Sequence, residues 1–479
     1  MFQAVLQVVP GSVSLAPLLL TSLLSALAAV LTTVLAAVLT TVLATVLAAV
    51  LTSASHADTQ YRAGEQQVQH AQRLNLELTP LGAERAGNHT DIPRWRGGLA
   101  MPPLGYQGPG HRRPDPFPHD VVQYRITASE LDDHRTTLPM GLQALLANTD
   151  AVLQVYPSRR TAAAAESWYE QTYLNVVQRP DTLQRASGGV PFPIPDNGLQ
   201  VLTNALLRWQ GRHYYSFERL FHVSQAGVAS WPLASQSVFP FSQPMATNQF
   251  DMQSELNRLR SDLRQADEKA VVYWHAWRER SLDRPFHRQQ VFFAHAAAVN
   301  VMDIEDKPAS GPGMLPPSLL LNQPGQYHWQ LLGKQELLIP YNNYRLFDQQ
   351  PGYGDFLKPG IPDVSRVRFE RHRVWVLDGV LKGRSHASYS KQVVYVDEDS
   401  WAPVMVDRYA ASGELVGVGM ALLTAAYEVP AIVSEFQLEF DLRSGDYWFH
   451  ALDDHISLSR DYSRLPLSRN RSLVVDTEE

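Results

Sequence analysis

The sequence predicts an α+β protein: one large antiparallel β-sheet packed on a few helices. Three observations carry that expectation. Between Arg366 and Val416, β-branched and aromatic runs at 367–377, 391–396, 402–409 and from 414 onward follow one another. The polar clusters Asp378-Gly379, Lys382-Gly383-Arg384-Ser385, Asp397-Glu398-Asp399-Ser400 and Ala411-Ser412-Gly413 separate them. Runs of this kind bounded by Gly, Ser and Asp read as strands joined by hairpins. Comparable runs recur at 213–228, 271–277, 290–301, 327–339, 432–440 and 446–451. Helical periodicity is confined to a few stretches, so strands gathered around one or two helices are expected.

Taken in order, residues 1–57 contain no Lys, Arg, Asp or Glu, and a Val-Leu pair returns every four residues from 30 to 51. The stretch closes on Ser55-His56-Ala57, small residues at cleavage-site spacing before Asp58. It reads as an export signal with an expanded apolar core, although it has no basic start and is about twice the ~20 residues a span needs. An uncleaved membrane anchor and a misassigned start are the other readings. Residues 58–120 form an extended Pro/Gly-rich segment, too poor in apolar residues to build its own core; another part of the chain must hold it. Residues 121–479 form the α+β sheet domain, with a sub-boundary near 243–262. Within it we expect a strand at 121–127, a helix at 141–148 and a strand at 152–156. A helix over 161–177, capped by Ser158 or Thr161, has its apolar residues near 3.6 spacing. A Pro-alternating loop at 188–198 leads to a helix at 199–209. An amphipathic helix at 253–269 and a Pro/Gly loop at 310–324 complete the reading.

Composition excludes several functions. The net charge of −7 over 479 residues gives no basic surface for nucleic acid. The absence of cysteine removes disulfides, thiolate metal sites and a cysteine nucleophile. No Gly-x-Ser-x-Gly, His-Glu-x-x-His or Walker loop occurs, and Gly417-Val418-Gly419 lacks the third glycine of a dinucleotide fingerprint. No cofactor and no catalytic residue is therefore assigned. His275, His287 and His295 could share a strand face but have no acidic partner at ligand spacing. Asp397-Glu398-Asp399 could hold a cation, yet it lacks the glycine and terminal Glu of an EF-hand loop, and a hairpin turn explains it better. What stands out is aromatic: Trp329, Tyr341, Tyr344, Trp375, Tyr395 and Trp401 fall on or beside the strands. They are the candidate ligand-binding residues, either as ordinary sheet core or as the lining of an apolar cavity.

Several motifs resemble the DUF1329 family of exported Gram-negative proteins. They are LTPLGAERAGN (78–88) with IPRWRGG (92–98), VYPSRRTAAA (155–164), GGVPFPIPDNG (188–198), LLGKQELLIPYNNYRL (331–346), ERHRVWVLDGVLK (370–382), YVDEDSW (395–401) and DRYAASGEL (407–415). The aromatic-then-basic stretch usual in the family is reduced here to Ala276-Trp277-Arg278 and Arg288-Gln289-Gln290. The resemblance implies a relation to the LolA/LolB outer-membrane lipoprotein-sorting proteins. With it comes a highly curved, incomplete antiparallel barrel closed by helices around an acyl-chain cavity. It also implies a periplasmic, non-enzymatic carrier of lipid-like or other hydrophobic ligands, serving an outer-membrane sorting or export system and working with an envelope transporter or outer-membrane protein. The alternative is a non-catalytic adaptor of an envelope complex. The resemblance supplies no catalytic residues.

Overall fold

The computed structural model describes residues 27–42, 44–45, 68–74, 76–108, 111–178, 188–211, 213–238, 271–279, 286–294, 327–349, 353–383 and 389–452. The chain divides into two compact units, Met1–Val68 and Gln69–Glu479. In the first, residues 27–42 are helical. Thr32, Thr33, Thr40 and Thr41 turn their hydroxyls back onto carbonyls three and four residues earlier, so these polar groups are satisfied within an otherwise apolar helix. Among the described residues no helix is long and apolar enough to cross a membrane.

The second unit is built on one 13-stranded sheet. Its strands are β1 (Tyr124–Ile126), β2 (Leu153–Val155), β3 (His213–Ser224), β4 (Gly227–Val238), β5 (Val271–Glu279), β6 (Phe286–Ala294), β7 (Tyr327–Pro340), β8 (Arg368–Leu381), β9 (Lys391–Asp397), β10 (Pro403–Tyr409), β11 (Leu415–Ala426), β12 (Ala431–Asp441) and β13 (Tyr447–Leu452). The order is β1-β2-β8-β9-β10-β11-β12-β13-β3-β4-β5-β6, with β7 attached to β8. Strands β8 to β13 form the antiparallel meander that the polar clusters predict.

Two pairings are parallel, β2 with β8 and β4 with β5, so the sheet is mixed. Strand β8 is long enough to take three neighbours. Its whole length pairs with β7 on one side, while on the other Val374–Val380 pairs with β9 and Arg368–Phe369 with β2. The Asp378-Gly379 cluster does not turn the chain but lies inside β8. Gly379 is needed there for space: a Cβ would stand 2.5 Å from the Trp329 ring on β7.

Among the described residues of this unit, the three helices of nine residues or more are α1 (Met140–Asn148), α2 (Glu166–Gln178) and α3 (Gly198–Leu207), and they pack on the sheet. Helix α3 starts where Asn197 accepts from the Gln200 N–H. Helix α2 starts later than its periodicity suggests, and neither Ser158 nor Thr161 caps it. Both are committed elsewhere: Ser158 Oγ donates to the Arg371 carbonyl and Thr161 Oγ1 to Asn342 Oδ1. The backbone of 161–162 also accepts from Leu99 N and Trp95 Nε1, which holds it extended.

Side chains alternate across the sheet and feed two apolar layers. Val374 and Val376 of β8 and Tyr395 of β9 face the layer beneath α1, with Phe436, Tyr447 and Phe449. Trp375, Leu377, Val394 and Val396 face the other layer, with Trp168 of α2 and Val201, Leu202 and Ala205 of α3. The expected helix at 253–269, the loop at 310–324, the 243–262 boundary and His295 lie outside the described residues. His275 and His287 lie on β5 and β6 but are not cross-strand partners.

Candidate functional site

The proline-rich segment is held from outside, as its composition requires. Residues 78–98 form a strap whose short internal bonds, Thr79 N to Ala83 O and Trp95 N to Arg85 O, fold it on itself. The sheet and its β9–β10 turn meet several of its other polar groups. Glu84 N–H donates to Glu398 Oε1, Arg373 Nη1 to the Ala86 carbonyl, and Trp401 Nε1 to the Leu81 carbonyl at 2.8 Å. Trp95 Nε1 donates in turn to the Ala162 carbonyl. Gly98, at φ 71°, lies so close to that chain that a Cβ would stand 2.1 Å from Ala162 O.

Arg160 is the hub. Its guanidinium donates to both carboxylate oxygens of Asp399, at 2.8 and 2.6 Å, and to the Glu84 carbonyl at 2.6 Å. Longer contacts reach the carbonyls of Arg85, Ala86 and Pro93. Burial works against its charge, but Asp399 outweighs that and raises its pKa.

Asp399 belongs to the Asp397–Ser400 turn that joins β9 to β10, the hairpin expected from the sequence. The turn is buried, with Asp397 and Glu398 at 0% and 2% exposure, which no hydrophilic turn signal foretells. Glu398 pairs with Lys334 at 2.8 Å. Trp401 closes the turn at φ 60°, a left-handed conformation that a bulky residue seldom takes.

Beneath the turn, Arg368, Glu370 and His372 share one face of β8, because side chains two apart in a strand point the same way. Glu370 accepts from Arg368 Nε at 2.5 Å, Asn342 Nδ2 at 2.9 Å and Arg159 N–H at 2.6 Å, and it lies 3.1 Å from His372 Nε2. Arg368 also reaches Asp120 at 2.7 Å. His372 Nδ1 faces Asp397 Oδ1 at 3.9 Å, and Tyr341 stacks on the imidazole at 4.1 Å between centroids. Ser400 donates its N–H and Oγ–H to Asp397 Oδ2. Burial first, then the Asp399 charge, pushes the Asp397 carboxyl above its ordinary range, while His372 opposes them. Donor atoms of His372, Asp397 and Asp399 all lie within 4.8 Å of one another, a set able to hold a metal ion.

The six aromatic candidates divide between the two layers. Tyr341, Tyr344 and Tyr395 lie in the layer beneath α1; Trp329, Trp375 and Trp401 lie in the opposite one. Tyr344 donates to the Ala425 carbonyl at 2.8 Å and accepts from its N–H at 3.0 Å. Tyr395 donates to Asp407 Oδ2 at 2.9 Å. Trp375 stacks on Trp401 at 6.1 Å, with the Lys334 ammonium over its ring. Trp329 and Trp375 are half-buried, whereas Tyr341 and Trp401 are almost fully enclosed. An open groove of about 490 Å³ runs beside the strap, lined among others by Leu76, Arg85, His89 and Asp91, and none of the six candidates reaches it.

Arg160, Arg368, Glu370 and His372 carry no assigned role in the sequence reading. Their signal was present: in RFERHR, the first six residues of β8, five side chains are ionisable, and those that alternate onto the buried face must be satisfied internally.

The family model described as a protein of unknown function, DUF1329, matches residues 125–268 and 318–467. An uncharacterized protein of Pseudomonas aeruginosa is 28% identical over 400 residues, covering 79% of this chain and 86% of that protein. Among solved structures, a DUF1329 family protein from Desulfovibrio piger aligns with TM-score 0.33 and 12% identity over 56% of this chain and 93% of its own. A domain from Vibrio parahaemolyticus described as an outer membrane lipoprotein-sorting protein aligns with TM-score 0.32 and 13% identity, over 57% and 94%. A LolA superfamily protein from Nitrosomonas europaea gives 0.27 and 13%, over 56% and 95%.

Proposed function

We propose that this chain, which belongs to the DUF1329 family, is a non-enzymatic carrier of lipid-like ligands that lie on the tryptophan layer of its sheet. One observation carries the reading. On that side Trp329 and Leu331 of β7 and Trp375 of β8 stay only half-covered by the helices. Half-covered aromatic and aliphatic side chains held rigid by a sheet offer an acyl chain burial worth roughly 0.8 kcal/mol per CH₂. In this reading the charge-free segment 1–57 directs the chain to the periplasm or anchors it there, and an envelope transporter or outer-membrane protein takes the ligand onward.

The experiment is native mass spectrometry of the full chain purified from a Gram-negative periplasm, with displacement of a fluorescent fatty acid. Co-purifying lipid is expected, and Trp375→Ala with Trp329→Ala should weaken fatty-acid binding about tenfold or more. Ligand-free protein that binds no fatty acid overturns the proposal. The outward face of α2, where Tyr173, Leu174 and Val177 are exposed, favours the adaptor reading instead if a pull-down returns an envelope protein and no lipid.

A further inference from the structure

We propose that His372, Asp397, Asp399 and the Tyr341 hydroxyl form a binding site for one divalent transition-metal ion, beneath the β9–β10 turn. The donor atoms of the first three converge, and two observations outside that convergence point to a ligand. Asp397 Oδ1 is buried and accepts no hydrogen bond, although Ser400 fully occupies the other oxygen. The Tyr341 hydroxyl is also buried without a hydrogen-bond partner, on the ring that stacks against the His372 imidazole. A native interior seldom leaves two such atoms unspent in one place.

The His372–Asp397 spacing suits an ion. His372 Nδ1 and Asp397 Oδ1 are 3.9 Å apart, too far for a hydrogen bond but within the span of two ligands that each sit about 2.0–2.2 Å from a shared metal. The outer shell is in place as well. Glu370 lies on His372 Nε2, which leaves Nδ1 as the lone pair directed at Asp397, the carboxylate–histidine arrangement that orients metal ligands. Arg368 and Asn342 hold Glu370 in turn. Asp399 accepts two hydrogen bonds from Arg160, but each carboxylate oxygen has two lone pairs, so it retains capacity to ligate. One imidazole with carboxylate and phenol oxygens suits a borderline ion such as Zn²⁺ or a harder one such as Mn²⁺ over a soft one. The donors are at most 4% exposed, so the ion enters while the strap and turn close. This inference is independent of the carrier reading.

The test is to unfold the full chain in EDTA and refold it with Zn²⁺ or with Mn²⁺. Bound metal is then counted by elemental analysis after gel filtration, and thermal midpoints are compared with and without the ion. We expect about one ion per chain and a raised midpoint. Asp397→Asn keeps the volume and loses the ligand, and should hold less than about a tenth as much metal. Tyr341→Phe keeps the ring on His372 and removes only the oxygen, so its affinity should fall about tenfold even if the first variant does not fold. Wild-type protein that refolds without retaining metal or gaining midpoint overturns the site, as does a Tyr341→Phe protein that binds metal as tightly as wild type.

Discussion

Replacing Arg160 by alanine tests whether the strap is clamped by one residue. The guanidinium and Asp399 have side-chain exposures of 3% and 5% and are joined by two hydrogen bonds. Removing one member of a buried pair leaves the other charge uncompensated, which costs about 3–5 kcal/mol. The Glu84 carbonyl, which accepts at 2.6 Å, loses its partner in the same step. The cost should appear in urea unfolding followed by tryptophan fluorescence. Trypsin should then cut the strap at Arg85, Arg94 or Arg96 in the variant before it cuts the sheet. The double variant Arg160→Met with Asp399→Asn separates charge from packing. It should recover more than half of the loss, because no buried charge is left unpaired. A single variant that loses less than about 1 kcal/mol would refute the clamp. So would a double variant whose loss equals the sum of the two single losses.

Three further outcomes follow from the geometry. Asp407 is buried where it accepts from Gly141 N–H and Tyr395, and burial pushes its carboxyl up to about 7 from an ordinary 3.8. Between those values the folded state keeps a proton that the unfolded chain has released, so this carboxyl's contribution falls as pH rises. Asp407→Asn should therefore gain about 2–3 kcal/mol on wild type between pH 5 and 7, read from urea midpoints; a constant difference would contradict it. Gly98→Ala drives a methyl group onto the Ala162 carbonyl at a positive φ and should cost about 2 kcal/mol or more, seen as a lowered thermal midpoint. Trp401→Phe keeps the stack with Trp375 but leaves the Leu81 carbonyl without its donor. About 1–3 kcal/mol of lost stability in chemical denaturation is expected.

The meander was legible because each strand from β8 to β13 carries its own β-branched run and its own turn residues, and these are local properties. The strap's dependence on the rest was also legible, since its prolines and scarce apolar residues preclude an independent core. What sequence patterns could not convey is who meets whom. Asp378-Gly379 looks like a turn, yet the glycine serves the Trp329 ring on the neighbouring strand. Asp397-Glu398-Asp399 looks like a solvated hairpin tip, yet Arg160, from more than 200 positions earlier, covers it. The six aromatic candidates stand out by residue type, and type does not reveal that three fall in one layer and three in the other. The polar start of β8 was legible too, since five of the six side chains from Arg368 to Arg373 are ionisable and those that alternate inward need partners inside the protein.

The strap has a consequence for how the molecule comes into being. Leu81 and Glu84 are among the first residues of the second unit to be synthesised, while their partners Trp401 and Glu398 follow more than three hundred residues later. The segment must therefore wait, unpartnered, until most of the polypeptide exists. Closing contacts so distant in sequence carries a large loop-entropy cost and slows folding. The seating of this early segment therefore waits on a late one. Truncation anywhere before the β9–β10 turn would leave the beginning of the unit without its anchor.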